Sequence, residues 1–250
     1  MITHEIDLAG LSVCVGIPAG RDFHPFTVRS LLSTQEMCLK HGVPFQAVFV
    51  TGSSVIQWAR DETIALFMET TANRLFWIDS DIKWEPEDFM RLLAISKHNE
   101  VVCASYPAKT ETPTFFMKHD ETEPMVMDKF NTLPILGAGL GFAVMNRTVI
   151  EEICNNAPLL YDEVSGKSIH EIFRVGRNAE GKRQGEDMAF FEDIINLGYR
   201  ISLDVSIQLG HIGCKVYEGN IMNGLELTTE GKQLNAPLKP SQEERQGQEV

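Results

Sequence analysis

The chain has 250 residues, 43% hydrophobic and 23% charged, enough length and apolar content to bury the core of one α/β domain. Its 35 acidic against 22 basic residues leave a net charge of −13, which excludes a general nucleic-acid binder and makes any phosphate-bearing ligand dependent on local positive charge. Five cysteines (Cys14, Cys38, Cys103, Cys154, Cys214) without a Cys-x-x-Cys pair exclude zinc-ribbon and thioredoxin-like sites and read as free thiols, while the absence of a basic-then-apolar start or a membrane-length apolar run makes a cytoplasmic location the expectation.

Strand-like and helix-like segments alternate through the first hundred residues. Leu11–Ile17 reads as a buried strand, and Val28–Leu39 as a helix whose apolar stripe is Val28, Leu31, Leu32, Cys38 and Leu39, stopped near Gly42. Phe45–Val50 is a second strand, Val55–Met68 a second helix, and Leu75–Ile78 a third strand. Pro86 opens a helix through Ile95, followed by a fourth strand at Val101–Ser105. This alternation predicts a mostly parallel sheet with helices on both faces. Thr114–Lys118 and Met125–Asp128 read as a small antiparallel meander. Leu136–Met145 is a glycine-punctuated strand, and Thr148–Cys154 a helix. Ser165–Gln184, polar and basic, reads as a mobile loop. Asp187–Leu197 is a helix ended by Gly198, and Ile201–Ile207 alternates as a half-buried strand. The domain is expected over residues 1–215, with a C-terminal extension over 216–250 that is disordered from about residue 236.

Three constellations carry chemistry. Asp79-Ser80-Asp81 follows the third strand, so residues i and i+2 put both carboxylates on one side, at the strand end where open α/β sheets bind ligands. Hard oxygens of this kind suit Mg2+ or Mn2+, although two acids in a solvated turn look the same in sequence. Gly210-His211-Ile212-Gly213 adds an imidazole where flanking glycines permit close backbone approach. Glu186 and Asp187 open a helix; either they answer the helix dipole or one accepts a proton from a hydroxyl. The run Gly137-Ala138-Gly139-Leu140-Gly141 lacks the Gly-x-Gly-x-x-Gly spacing and reads instead as room for a substrate against backbone.

Taken in order, Val13–Pro18, Trp58–Asp61, Phe76–Asp81, Gly137–Phe142, Gly185–Met188 and Gly210–Gly213 resemble the glycosyltransferases of the GT-A fold, particularly compact bacterial and viral members. The resemblance implies a Rossmann-like α/β domain with a small antiparallel meander on the acceptor side. It implies transfer of a sugar from a nucleotide-sugar donor, a UDP-sugar by preference, to a hydroxyl acceptor on a glycan, protein or modified nucleobase. Asp79, Asp81 and His211 would hold Mn2+ or Mg2+. Pro18, Ala19, Arg60, Asp79 and Gly139 would line the donor, and Asp187 with Glu186 would supply the base. Asp61 stands after Arg60 where many relatives carry Asn. Two alternatives compete: a haloacid-dehalogenase-type phosphohydrolase, which places its Asp-x-Asp on the first strand, and a nucleotide-sugar-binding protein without turnover.

Overall fold

A computed structural model describes residues 7–163, 165–227 and 233–235. Seven strands form the central sheet: β1 (Val13–Ala19), β2 (Phe45–Thr51), β3 (Arg74–Ile78), β4 (Val101–Cys103), β5 (Thr132–Ile135), β6 (Phe142–Asn146) and β7 (Ile201–Asp204). Their spatial order is β2-β1-β3-β6-β4-β7-β5. Five run parallel, while β6 and the edge strand β5 run against their neighbours. The fold is therefore α/β with a mostly parallel sheet, as the alternating segments predict.

Period-two alternation sends side chains to two separate cores. Val13, Val15, Ile17, Phe76, Ile78, Phe142 and Val144 face one side with α1 (Pro25–Lys40) and α3 (Pro86–Ile95). Phe76 stacks on Phe89 of α3, ring centroids 4.1 Å apart. Cys14, Leu75, Trp77, Ala143 and Met145 face the other side, against α2 (Ile56–Met68), α4 (Arg147–Asn156) and α5 (Glu186–Asn196). Cys14, Cys38, Cys103 and Cys154 are buried free thiols, and Cys214 is exposed.

Several expectations change. The segment Leu136–Met145 is not one strand: Gly137–Ala138 pairs with Met117–Lys118, and β6 begins only at Phe142, because Leu140 and Gly141 turn toward the site. Ser165–Gln184 is not a structureless loop. Lys167–His170 pairs with Leu159–Asp162, and Gly176–Arg177 pairs with Arg183–Gln184; between these hairpins Ile172 and Phe173 are buried. The strand read as Ile201–Ile207 ends at Asp204, which is fully buried and hydrogen-bonded to Arg91 and Ser206. The apolar stripe read on the first helix is largely outside. Val28, Leu32 and Leu39 are exposed, whereas Thr27, Ser30, Thr34 and Cys38 are buried.

After the seventh strand the chain returns. Leu209–Ile212 pairs with both Ile82–Lys83 and Val216–Gly219, which brings His211 beside the loop that follows β3. Ile221 and Leu225 are buried against the core. The expected disorder from about residue 236 lies outside the described residues.

Candidate active site

Everything that bears on chemistry gathers at the carboxyl edge of the parallel strands, where ligands sit in open α/β sheets. The Asp79-Ser80-Asp81 turn is held from three directions. Thr27 Oγ1 lies 3.0 Å from the Ser80 carbonyl and 2.8 Å from that of Ile82. The Asp79 N–H donates to the Gly141 carbonyl at 3.1 Å, and the Ile212 N–H donates to the Asp81 carbonyl at 2.8 Å. A turn this tied is a rigid platform for its two carboxylates.

Those carboxylates diverge. Asp79 faces a buried cation: Arg60, 3% exposed, reaches Asp79 Oδ1 at 3.4 Å and Glu186 Oε1 at 3.8 Å, and is hydrogen-bonded to Asp187 Oδ1. Asp187 Oδ2 accepts the Leu140 N–H at 3.2 Å. Tyr106 Oη lies 3.5 Å from Asp79 Oδ2 and accepts the Gly141 N–H at 3.3 Å. Burial pushes the Asp79 carboxyl up to about 6, although Arg60 pulls the other way. Burial and the Asp79 and Asp187 carboxylates push the Tyr106 phenol well above its ordinary range, so it stays a donor. Three carboxylates around one guanidinium, contributed by β3, α5 and the helix α2, lock three elements to one charge.

Asp81 faces outward and meets His211. His211 Nε2 lies 3.4 Å from Asp81 Oδ2, and Lys109 Nζ lies 2.6 Å from the same oxygen. Burial pushes the Asp81 carboxyl up, but the contacts with His211 and Lys109 outweigh it and leave the group below the usual carboxylate range. His211 Nδ1 lies 3.0 Å from the Pro107 carbonyl. A carbonyl only accepts, so Nδ1 carries the hydrogen, which leaves Nε2 as the ring atom turned toward Asp81. An imidazole nitrogen and a carboxylate oxygen side by side suit a cation held by both, and the Lys109 ammonium already lies on the same oxygen. Among the described residues no three His, Cys, Asp or Glu side chains converge as a ready-made cage. A divalent ion held by few protein ligands and by substrate phosphate oxygens needs only such a pair, so Asp81 and His211 fit Mn2+ or Mg2+.

The remaining expected residues fall as follows. Pro18 and Ala19 end β1, both buried, and pair with Val50 and Thr51 of β2. Within the glycine run, Gly139 and Gly141 let the protein's own side chains lie against the backbone: a Cβ on Gly141 would lie 2.5 Å from Asp79 Oδ2, and one on Gly139 would lie 2.8 Å from Tyr106 Cζ. Sequence reasoning missed Tyr106, Lys109 and Thr27. Each is a common residue type outside any motif, brought in by topology alone.

No protein-family model matches the sequence, nor does any curated protein. In three dimensions the chain is similar to GalNAc-T7, solved with UDP, GalNAc and Mn2+, with a TM-score of 0.52 and 13% identity over 83% of this chain. The chain spans less than half of that protein, 45% of its length. That alignment, with a mostly parallel sheet whose third strand delivers Asp79 and Asp81 to its carboxyl edge, gives the chain the GT-A fold of the glycosyltransferases.

Proposed function

We propose that the chain is a metal-dependent glycosyltransferase that moves a sugar from a nucleotide-sugar donor, a UDP-sugar by preference, to a hydroxyl acceptor. The observation that carries this reading is the pairing of Asp81 with His211 at the strand edge, next to the Arg60 cluster, within a GT-A fold. GalNAc-T7 carries UDP and Mn2+ in its structure, which supports the same ligand class here.

The residues divide the work. Asp81 and His211 hold Mn2+ or Mg2+, which when bound offsets the negative charge that develops on a departing diphosphate. Asp79, oriented by Arg60 and Tyr106, borders the nucleotide rather than standing free. Lys109 keeps positive charge at the mouth of the site in a chain of net charge −13. Asp187 takes the acceptor's proton in this reading, with Glu186 beside it; its contacts with the Leu140 N–H and Arg60, which hold its carboxylate, support that role. The aspartate pair follows the third strand, not the first as the phosphohydrolase alternative expects, which supports the transferase reading.

Isothermal calorimetry with UDP, and with GDP as the comparison, tests the site. Binding should be present with Mn2+ and weaker by about tenfold or more in EDTA, with Asp81→Ala and His211→Ala losing the Mn2+-dependent part while staying folded. Equal affinity with and without Mn2+ would reject the metal site. Binding without turnover of any nucleotide sugar would favour the non-catalytic alternative.

A further inference from the structure

Between the two hairpins, the backbone of Ile172 and Phe173 dips into the domain, leaving these residues 4% and 3% exposed. Both N–H groups donate to one atom, Oδ1 of Asp61 on α2, each at 3.0 Å. One carboxylate oxygen has two acceptor positions, so a single buried side chain satisfies both N–H groups. Asp61 is itself 6% exposed.

The ring thus placed touches three elements. Phe173 stacks on Phe190 of α5 at 4.4 Å and meets Trp77 of β3 edge-on at 5.7 Å. The Arg60 guanidinium carbon lies 5.6 Å above the ring centroid. Each element carries a member of the charged cluster: α5 opens with Glu186 and Asp187, β3 leads into Asp79, and α2 carries Arg60. Among the described residues the Nε of Arg60 is buried without a hydrogen-bond partner, and its guanidinium is oriented by its Nη contacts and by the ring beneath.

We infer that Asp61 is a positioning residue for the proposed transfer: it fixes Phe173 as a common wedge that holds Arg60 against Asp79 and Asp187. Asp61 follows Arg60 directly on α2, but its carboxylate is spent on the Ile172 and Phe173 N–H groups rather than on the Arg60, Asp79 or Asp187 side chains. It acts at one remove, through the backbone of residues 172 and 173. This inference rests on the reading of the site as a glycosyltransferase centre only for its consequence on turnover; the coupling from Asp61 to Arg60 stands on geometry alone.

The test uses the full chain with Asp61→Asn, Asp61→Ala and Phe173→Leu, read in two ways. The first is the NMR signal of the Arg60 guanidinium protons, which needs no turnover. The second is kcat and donor KM with a UDP-sugar and Mn2+. Asparagine keeps the accepting oxygen, so Asp61→Asn should preserve the Arg60 signals and most of kcat. Asp61→Ala should broaden or shift those signals and lower kcat by about 10- to 100-fold, with donor KM changed far less, because misplacement at one remove acts on the reacting geometry. Phe173→Leu keeps the bulk but loses the ring face and should show the same split. A folded Asp61→Ala with unaltered Arg60 signals overturns the inference, as does a lowered melting temperature with kcat unchanged. If Asp61→Ala does not fold, unaltered Arg60 signals in Phe173→Leu overturn it equally. A wild-type chain that transfers no sugar would defeat the proposed function, while the Arg60 signals would still decide this point.

Discussion

At the scale of single residues, Arg60 sets the terms. A guanidinium only 3% exposed needs anionic partners, and it has three, each between 21% and 27% exposed. Removing one partner of a buried charge costs more than the pair contributes, because the other charge is left behind. This gives Asp187→Asn two separable effects. If Asp187 takes the acceptor's proton, transfer should fall by roughly 10²–10⁴-fold, since the amide keeps the shape and loses the base. If it serves only to neutralise Arg60, the melting temperature should fall while turnover stays near normal. Turnover and melting measured on one preparation separate the two, and near-normal turnover would remove Asp187 from the chemistry.

At the scale of elements, α1 shows what patterning can and cannot deliver. Its existence is legible from the apolar spacing over Val28–Leu39 and from Gly42 past its end, although the helix begins earlier, at Pro25. Its buried face is not. Apolar periodicity points to Val28, Leu32 and Leu39, yet the helix turns Thr27, Ser30 and Thr34 inward, because the turn after β3 leaves polar groups that need partners. Ser30 Oγ donates to the Trp84 carbonyl at 2.7 Å, and Trp84 Nε1 donates to Thr34 Oγ1 at 2.8 Å. A demand for hydrogen bonds overrides a hydrophobic stripe, and no rule of local spacing sees that demand. The same blindness hid β5, where Pro134 breaks the look of a strand but is tolerated at a sheet edge. Strands with continuous apolar runs, β1 and β3, are plain in the sequence, and so is the Asp79-Ser80-Asp81 turn that follows β3. His211 is legible as a glycine-flanked imidazole but not as part of the short strand Leu209–Ile212 that pairs it with Ile82. Tyr106 and Lys109 are not legible, because they follow from how β4 lies next to β6. Thr27→Val should therefore cost about 1–3 kcal/mol of unfolding free energy by taking the hydroxyl away from the Ile82 carbonyl and leaving that of Ser80 with the His24 N–H, whereas Leu39→Gln should stay within about 0.5 kcal/mol. Denaturant melts of both variants check the inverted face, and a costlier Leu39 change would restore the conventional one.

At the scale of the whole molecule, β6 ties the two cores together. Phe142 and Val144 belong to one, Ala143 and Met145 to the other. Trp77 reports on the first α2–α4–α5 side and Trp84 on the α1–α3 side, while Trp58 is 69% exposed. Single-tryptophan chains retaining Trp77 or Trp84 should unfold at the same denaturant midpoint, because neither core can open without stripping the shared strand. Distinct midpoints would show two independently melting layers.

The position of β6 also bears on how the chain is born. β3 and β4 are made early, but the strand that fits between them arrives only at residues 142–146, and β7, which flanks β4 on its other side, only at residues 201–204. On the ribosome, Leu75–Ile78 and Val101–Cys103 therefore emerge with flanks of unpaired backbone N–H and C=O groups, and wait for later chain to pair with them. At roughly 5–20 residues per second that wait lasts some seconds, long on the timescale of hydrophobic collapse. Slower translation through the intervening stretch, or depletion of the chaperones that shield unpaired strands, would be felt first as aggregation of nascent chains rather than as loss of stability in the finished protein.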